Sequence, residues 1–126
     1  MPNSTFCVAV IGAGETGTPL LQQLLSAPFV RVLGVADLDP DAPGMNLARD
    51  HDVPTTTDFM DLARMGEDLD VLIDVTGVPL VREALRQHMQ DTDNHRTIIM
   101  HEVIVQLMLS LSKGELVRLK HGDVEY

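Results

Sequence analysis

With 126 residues, nineteen of them acidic and nine basic, the chain has a net charge of −10 and an apolar content of 44%. Such a charge repels nucleic acid and anionic membrane surfaces and lacks the basic footprint that a phosphate backbone requires. The apolar content speaks against disorder, and no apolar run approaches the ~20 residues that span a bilayer. The length suits one domain with an ordinary core and is too short for a cofactor domain followed by a full substrate domain. One cysteine, Cys7, cannot form an internal disulfide, and the opening Met-Pro-Asn-Ser-Thr has no signal-peptide character. A cytoplasmic protein with no nucleic-acid or membrane partner is expected.

Residues 6–11 form a continuous apolar run, the pattern of a central parallel strand covered on both faces. Cys7 within it reads as a small buried hydrophobe, with nothing adjacent to activate a thiol. The run ends in Gly-Ala-Gly-Glu-Thr-Gly, three glycines at G-x-G-x-x-G spacing. Gly12 suits a tight turn, Gly14 the approach of a pyrophosphate to the backbone, and Gly17 close packing of the next helix on the strand. With Ala13, Glu15 and Thr16 these glycines make a candidate phosphate-binding turn, where backbone N–H groups and the positive helix end hold an anion. Related loops also serve other adenosine cofactors such as S-adenosylmethionine. Glu15 either points to solvent or lies at the helix end, where it would compete with the anion by up to ~1 kcal/mol.

A helix over 18–26 carries Leu20, Leu21, Leu24 and Leu25 on one face, tolerates Pro19 in its first turn and ends before Pro28. A second strand over 30–36 stops at Asp37, 20 residues beyond Gly17, where this fold places an acid to accept hydrogen bonds from ribose hydroxyls. A loop over 39–44 leads to a short helix over 45–50 and a short strand over 53–56, rich in threonine. Asp58 reads as the N-cap of a helix carrying Phe59, Leu62 and Ala63, closed by Gly66. Residues 69–75 form another mostly apolar strand, followed by Thr76-Gly77-Val78-Pro79, a helix over 80–89 and a polar loop over 90–95. A fifth strand over 97–100 ends at His101-Glu102. The segment 103–111 is apolar almost all round and reads as a buried helix that makes a subunit contact, or as one long buried strand. Residues 115–120 alternate apolar and charged side chains, the pattern of a final edge strand.

Strands alternating with helices predict a single α/β domain over 1–126, a three-layer, doubly wound parallel sheet of Rossmann type, with the tail 103–126 as an oligomer contact. Ligands of such sheets lie beyond the carboxyl ends of the strands. The glycine turn, Asp37, Thr76-Gly77 and His101-Glu102 all fall on that edge. His101 is the candidate proton donor or acceptor near pH 7; Glu102 could orient it, but neighbours at a strand end often point in opposite directions. His51, His88, His95 and His121 lack metal-site spacing, and with one cysteine no metal centre is expected.

The succession Gly-Ala-Gly-Glu-Thr-Gly, Val-Ala-Asp-Leu-Asp-Pro, Pro-Thr-Thr-Thr-Asp-Phe and Asp-Val-Leu-Ile-Asp-Val-Thr-Gly resembles the N-terminal NAD(P)-binding domain of the Gfo/Idh/MocA oxidoreductases over about residues 6–102. Homoserine dehydrogenase and dihydrodipicolinate reductase have cofactor domains of similar layout. The resemblance implies a nicotinamide dinucleotide held by Gly12, Gly14 and Gly17, with Asp37 on the adenosine ribose and Thr76-Gly77 along the path to the nicotinamide. An acid at Asp37 would repel a 2'-phosphate and so favour NAD over NADP. Where that family has Glu-Lys-Pro after the fifth strand, with a catalytic lysine, this chain has His101-Glu102-Val103. The implied function is cofactor binding of oxidoreductase type without independent turnover, as a homodimer. The alternatives are a regulatory or redox-sensing module acting through a partner protein, and a split oxidoreductase completed by another subunit.

Overall fold

The computed structural model describes residues 5–15 and 17–118; Thr16, His121 and the last two residues of the expected edge strand lie outside them. The elements run β1 (Phe6–Ile11), α1 (Gly17–Ser26), β2 (Val30–Ala36), α2 (Pro43–Asp50), β3 (Thr55–Thr56), α3 (Met60–Ala63), a 3-10 turn (Gly66–Asp68), β4 (Val71–Asp74), α4 (Pro79–Asp91), β5 (Ile98–Met100) and α5 (Glu102–Lys113). The five strands are parallel in the order β3-β2-β1-β4-β5, so the first strand is central, as its unbroken apolar run predicts.

Alternation along each strand divides the core in two. Val8, Val10, Val35 and Ile73 face α1, α2 and α5, whereas Ala9, Ile11, Ala36 and Leu72 face α3 and α4. A register shift between β1 and β2 puts Leu33 and Gly34 consecutively on the α3 side. There a Cβ on Gly34 would come within 2.6 Å of Leu62, so the glycine lets α3 close on the sheet.

Several local expectations are corrected. The strand expected over 53–56 shrinks to two residues, because the Val53 N–H turns back to the Ala48 carbonyl (2.9 Å) and closes α2. Asp58 does hold a backbone N–H, that of Met60 at 3.0 Å, but the helix stops at Ala63. The segment 103–111 is a helix and not a strand, and only Val105 and Leu109 of it are buried. Residues 115–118 form no strand. After the left-handed cap at Gly114 the tail folds onto α5, with the Val117 N–H donating to the Ser110 hydroxyl and its carbonyl accepting from the Gln106 amide, both at 2.9 Å. Side chains of α5 thus take the backbone groups that a sheet edge would have used.

At the amino edge of the sheet, Asp70 fastens three strands. Its carboxylate accepts from the Cys7 N–H (2.8 Å) and from Arg96 (2.6 Å), and its carbonyl accepts from the Ile98 N–H (3.0 Å). The Cys7 N–H foremost, and then Arg96, hold this carboxyl below the usual carboxylate range despite some desolvation. A carboxyl with a lower pKa in the folded chain than in the unfolded chain stabilises the fold fully above the unfolded value of about 3.9, and that contribution disappears as the pH falls through the folded value. Urea melts of the wild type and Asp70→Asn should therefore differ at pH 7 and converge progressively in acid. A gap that persists unchanged at the acid end would mean that the charge contributes nothing.

Candidate functional site

The carboxyl edge of the sheet has two halves. The first is the glycine turn, whose three glycines have separate physical roles. Gly12 has φ of +105°, a left-handed value that disfavours side chains, and a Cβ there would lie 2.7 Å from Val75. A Cβ on Gly17 would overlap the Gly12 carbonyl oxygen, so the first turn of α1 rests directly on the end of β1. Gly14 has nothing within 4 Å of where its Cβ would be and opens to the outside. The turn is tied to its neighbours: the Gly12 N–H donates to the Ala36 carbonyl (2.8 Å), and the Ala13 carbonyl accepts from the Gly44 N–H (2.7 Å). Glu15 is exposed.

Asp37 reaches this turn from the end of β2. One carboxylate oxygen accepts from the Ala13 N–H at 2.7 Å, and the other from the Asp39 N–H at 2.9 Å. Each oxygen keeps a further lone pair, and the side chain is part-exposed, so both remain able to accept from a ligand hydroxyl.

The second half centres on Asp74, the last residue of β4 and only 2% exposed. Its Oδ1 accepts from the Thr76 N–H (2.9 Å) and the Thr76 hydroxyl (2.6 Å), and its Oδ2 lies 3.1 Å from Nδ1 of His101. Register explains the pairing. Ile73 lies opposite Met100, so the next residues on each strand, Asp74 and His101, meet on the face that carries α4. A carboxylate can only accept, so Nδ1 of His101 donates to Asp74, and Nε2 is left at the outer side of the ring. The arrangement holds one imidazole tautomer in place, as general acid or base chemistry requires.

Glu102 does not orient His101, the outcome of the two open in sequence that strand alternation favours. It turns the other way, against Gly77, where φ is +68° and a Cβ would lie 2.6 Å from its Oε2. That oxygen is buried with no hydrogen-bond partner among the described residues. The Thr76 hydroxyl also faces inward, donating to Asp74 and accepting from the Val78 N–H (3.1 Å), so any ligand contact at Thr76-Gly77 falls to the backbone. The edge thus brings together Gly12, Ala13, Gly14, Gly17 and Asp37 in one half and Thr76, Gly77 and His101 in the other. Sequence reasoning passed over Asp74; the signal was a charged residue closing an apolar strand. No three His, Cys, Asp or Glu side chains gather as a metal site among the described residues.

The fold and the glycine turn define a Rossmann-like domain of the kind found in dehydrogenases. No protein-family model matches the chain. Its sequence is 36% identical to an acetaldehyde dehydrogenase of Chloroflexus aurantiacus over 85 residues, 64% of this chain and 28% of the relative. It is 39% identical to acetaldehyde dehydrogenase 3 of Nocardia farcinica over 77 residues, 58% of this chain and 24% of the relative. The chain thus spans less than a third of the curated relatives it matches. Among solved structures, apo saccharopine dehydrogenase (L-Glu forming) from Saccharomyces cerevisiae superposes with a TM-score of 0.55 at 17% identity, covering 85% of this chain and 30% of that one. A myo-inositol dehydrogenase from Corynebacterium glutamicum gives 0.51 at 15% identity, covering 76% and 36%. These likenesses bear out the expected cofactor-domain layout at the level of the fold, while the sequence relatives are acetaldehyde dehydrogenases.

The glycine geometry separates two substitutions that look alike in sequence. Gly17→Ala should destabilise the protein by about 1–3 kcal/mol or more, because backbone and helix must part to admit the methyl group. Gly14→Ala should stay within about 0.5 kcal/mol of the wild type. Thermal melts of the two variants check this, and equal losses would contradict the packing described.

Proposed function

We propose that the carboxyl edge holds a nicotinamide adenine dinucleotide, NAD in preference to NADP. The observation that carries this reading is the joint placement of an unobstructed Gly14 flank and a part-exposed Asp37 carboxylate fastened to the same turn. The residues suit the group. The pyrophosphate would lie against the Gly12, Ala13, Gly14, Glu15, Thr16 and Gly17 turn at the start of α1, the adenosine ribose would donate to Asp37, and the path to the nicotinamide would pass Thr76-Gly77. A 2'-phosphate beside Asp37 would be repelled. The dehydrogenase names of the relatives support an oxidoreductase-type role. When bound, the cofactor would accept or supply hydride. The chain's own contribution would be to bind and orient it, and to hold a proton at Nε2 of His101, with Nδ1 kept on Asp74.

We read the domain as a binder without independent turnover, because His101-Glu102-Val103 stands where the resembled family has its lysine. The second reading, a module that acts through a partner or is completed by another subunit, is favoured by α5. Val103, Ile104, Leu107, Met108 and Leu111 recur at helical spacing on its outer side and stay exposed, Val103 by 68% and Leu111 by 73%. A stripe of this kind on a surface helix suits docking. The occupant we favour is a second copy of the chain.

Calorimetric titration with NAD, NADH and NADPH in parallel tests the cofactor. The NAD pair should bind and NADPH should bind more weakly. Asp37→Ala should weaken the NAD pair by about tenfold to a hundredfold, as expected for losing hydrogen bonds to a charged acceptor. Absence of heat with all three would end the reading.

Leu107 is half-exposed in the isolated chain, so Leu107→Asp should keep the circular dichroism of the wild type while abolishing association in sedimentation. A wild type that stays monomeric at high concentration would remove the dimer.

A further inference from the structure

A cavity of about 390 Å³ runs along the outer edge of β5, between that strand and α4. Ile99 and Met89 give it an apolar floor on the α4 side, Ile98 also borders it, Arg82 and Arg86 line it from the helix, and His101 lies at the end nearest the ligand edge of the sheet. The volume lies within the range of small-molecule sites.

The two arginines are the informative part. They lie four residues apart on α4 and therefore on one face of it, where like charges repel and weaken the helix. The chain has nineteen acidic residues against nine basic ones, yet neither guanidinium has a hydrogen-bond or ion-pair partner among the described residues. Arg64 and Arg96 are each paired with aspartate, whereas Arg31 and Arg118 likewise lack a side-chain partner among the described residues; what distinguishes Arg82 and Arg86 is that both line this cavity. Guanidiniums are forked donors suited to carboxylate and phosphate oxygens, and these two line one cavity from the same helix face.

We propose that this cavity is a binding site for a small organic oxyanion, held by Arg82 and Arg86, with its uncharged part on Ile99 and Met89 and toward Nε2 of His101. The inference deepens the cofactor reading by naming the class of molecule that would sit beside it. Oxyanion binding itself needs no cofactor.

The test is a titration of the ¹⁵N-labelled protein with succinate, inorganic phosphate and neutral succinamide at constant ionic strength, following the arginine Nε–Hε resonances. These are assigned through Arg82→Lys and Arg86→Lys. Saturable shifts of both arginines with succinate or phosphate and none with succinamide are expected, and the tighter ligand distinguishes a carboxylate from a phosphate. The double variant Arg82→Gln/Arg86→Gln should weaken that binding by at least about tenfold and leave NAD titrations unchanged. Shifts that fail to saturate through the millimolar range, that succinamide reproduces, or that survive in the double variant would overturn the site. Oxyanion binding without NAD binding would support the cavity and end the cofactor reading; NAD binding without oxyanion binding would overturn the cavity alone.

Discussion

The first turn of α1 rests on the carbonyl of Gly12, an approach that two glycines permit and any side chain on Gly17 would prevent. That one contact places the helix start at the end of the central strand. It leaves the Ala13 N–H pointing to Asp37 on β2 and the Ala13 carbonyl to Gly44 at the start of α2. Three separate elements are thereby gathered around a turn of six residues. Val75, whose methyl group lies closest to a Cβ on Gly12, brings the end of β4 to the same place. A small parallel sheet becomes an edge with defined donors and acceptors because the backbone comes this close.

The other half of the edge is organised by a buried charge. Asp74 is the one ionisable side chain buried among the described residues, and it is tolerable there because three donors surround it. It fixes the Thr76 turn on one side and the His101 ring on the other. The two halves differ in kind: around Gly14 the chain offers backbone, suited to an extended anion, and around His101 it offers a side chain of set orientation, suited to moving a proton. Arg82 and Arg86 of α4 begin where that second half ends, on the outer flank of β5.

Much of this was legible in sequence because it depends on local pattern. Apolar runs marked most of the strands, helical spacing marked α1, and the steric roles read for Gly12 and Gly17 are those the backbone displays. Asp37 was readable from its distance along the chain. His101 was noted as a histidine at a strand end, with the reservation that its neighbour Glu102 could point the other way; its actual partner, Asp74, lies 27 residues earlier and was not legible from local pattern.

The sequence by itself determined the order of elements through β5, the central place of the first strand and the position of the glycine turn. Each follows from steric and hydrophobic preferences that act over a few residues. Tertiary structure alone decided what those elements meet. Strand register set Asp74 against His101, and the close passage of Gly77 turned the Glu102 carboxylate inward. The way α5 packs on the domain buries only Val105 and Leu109 of an apolar segment whose pattern called for complete burial. The same competition for backbone partners held the tail on α5 and kept residues 115–118 out of the sheet. These outcomes depend on which distant surfaces compete for the same contacts, and no local pattern encodes that competition.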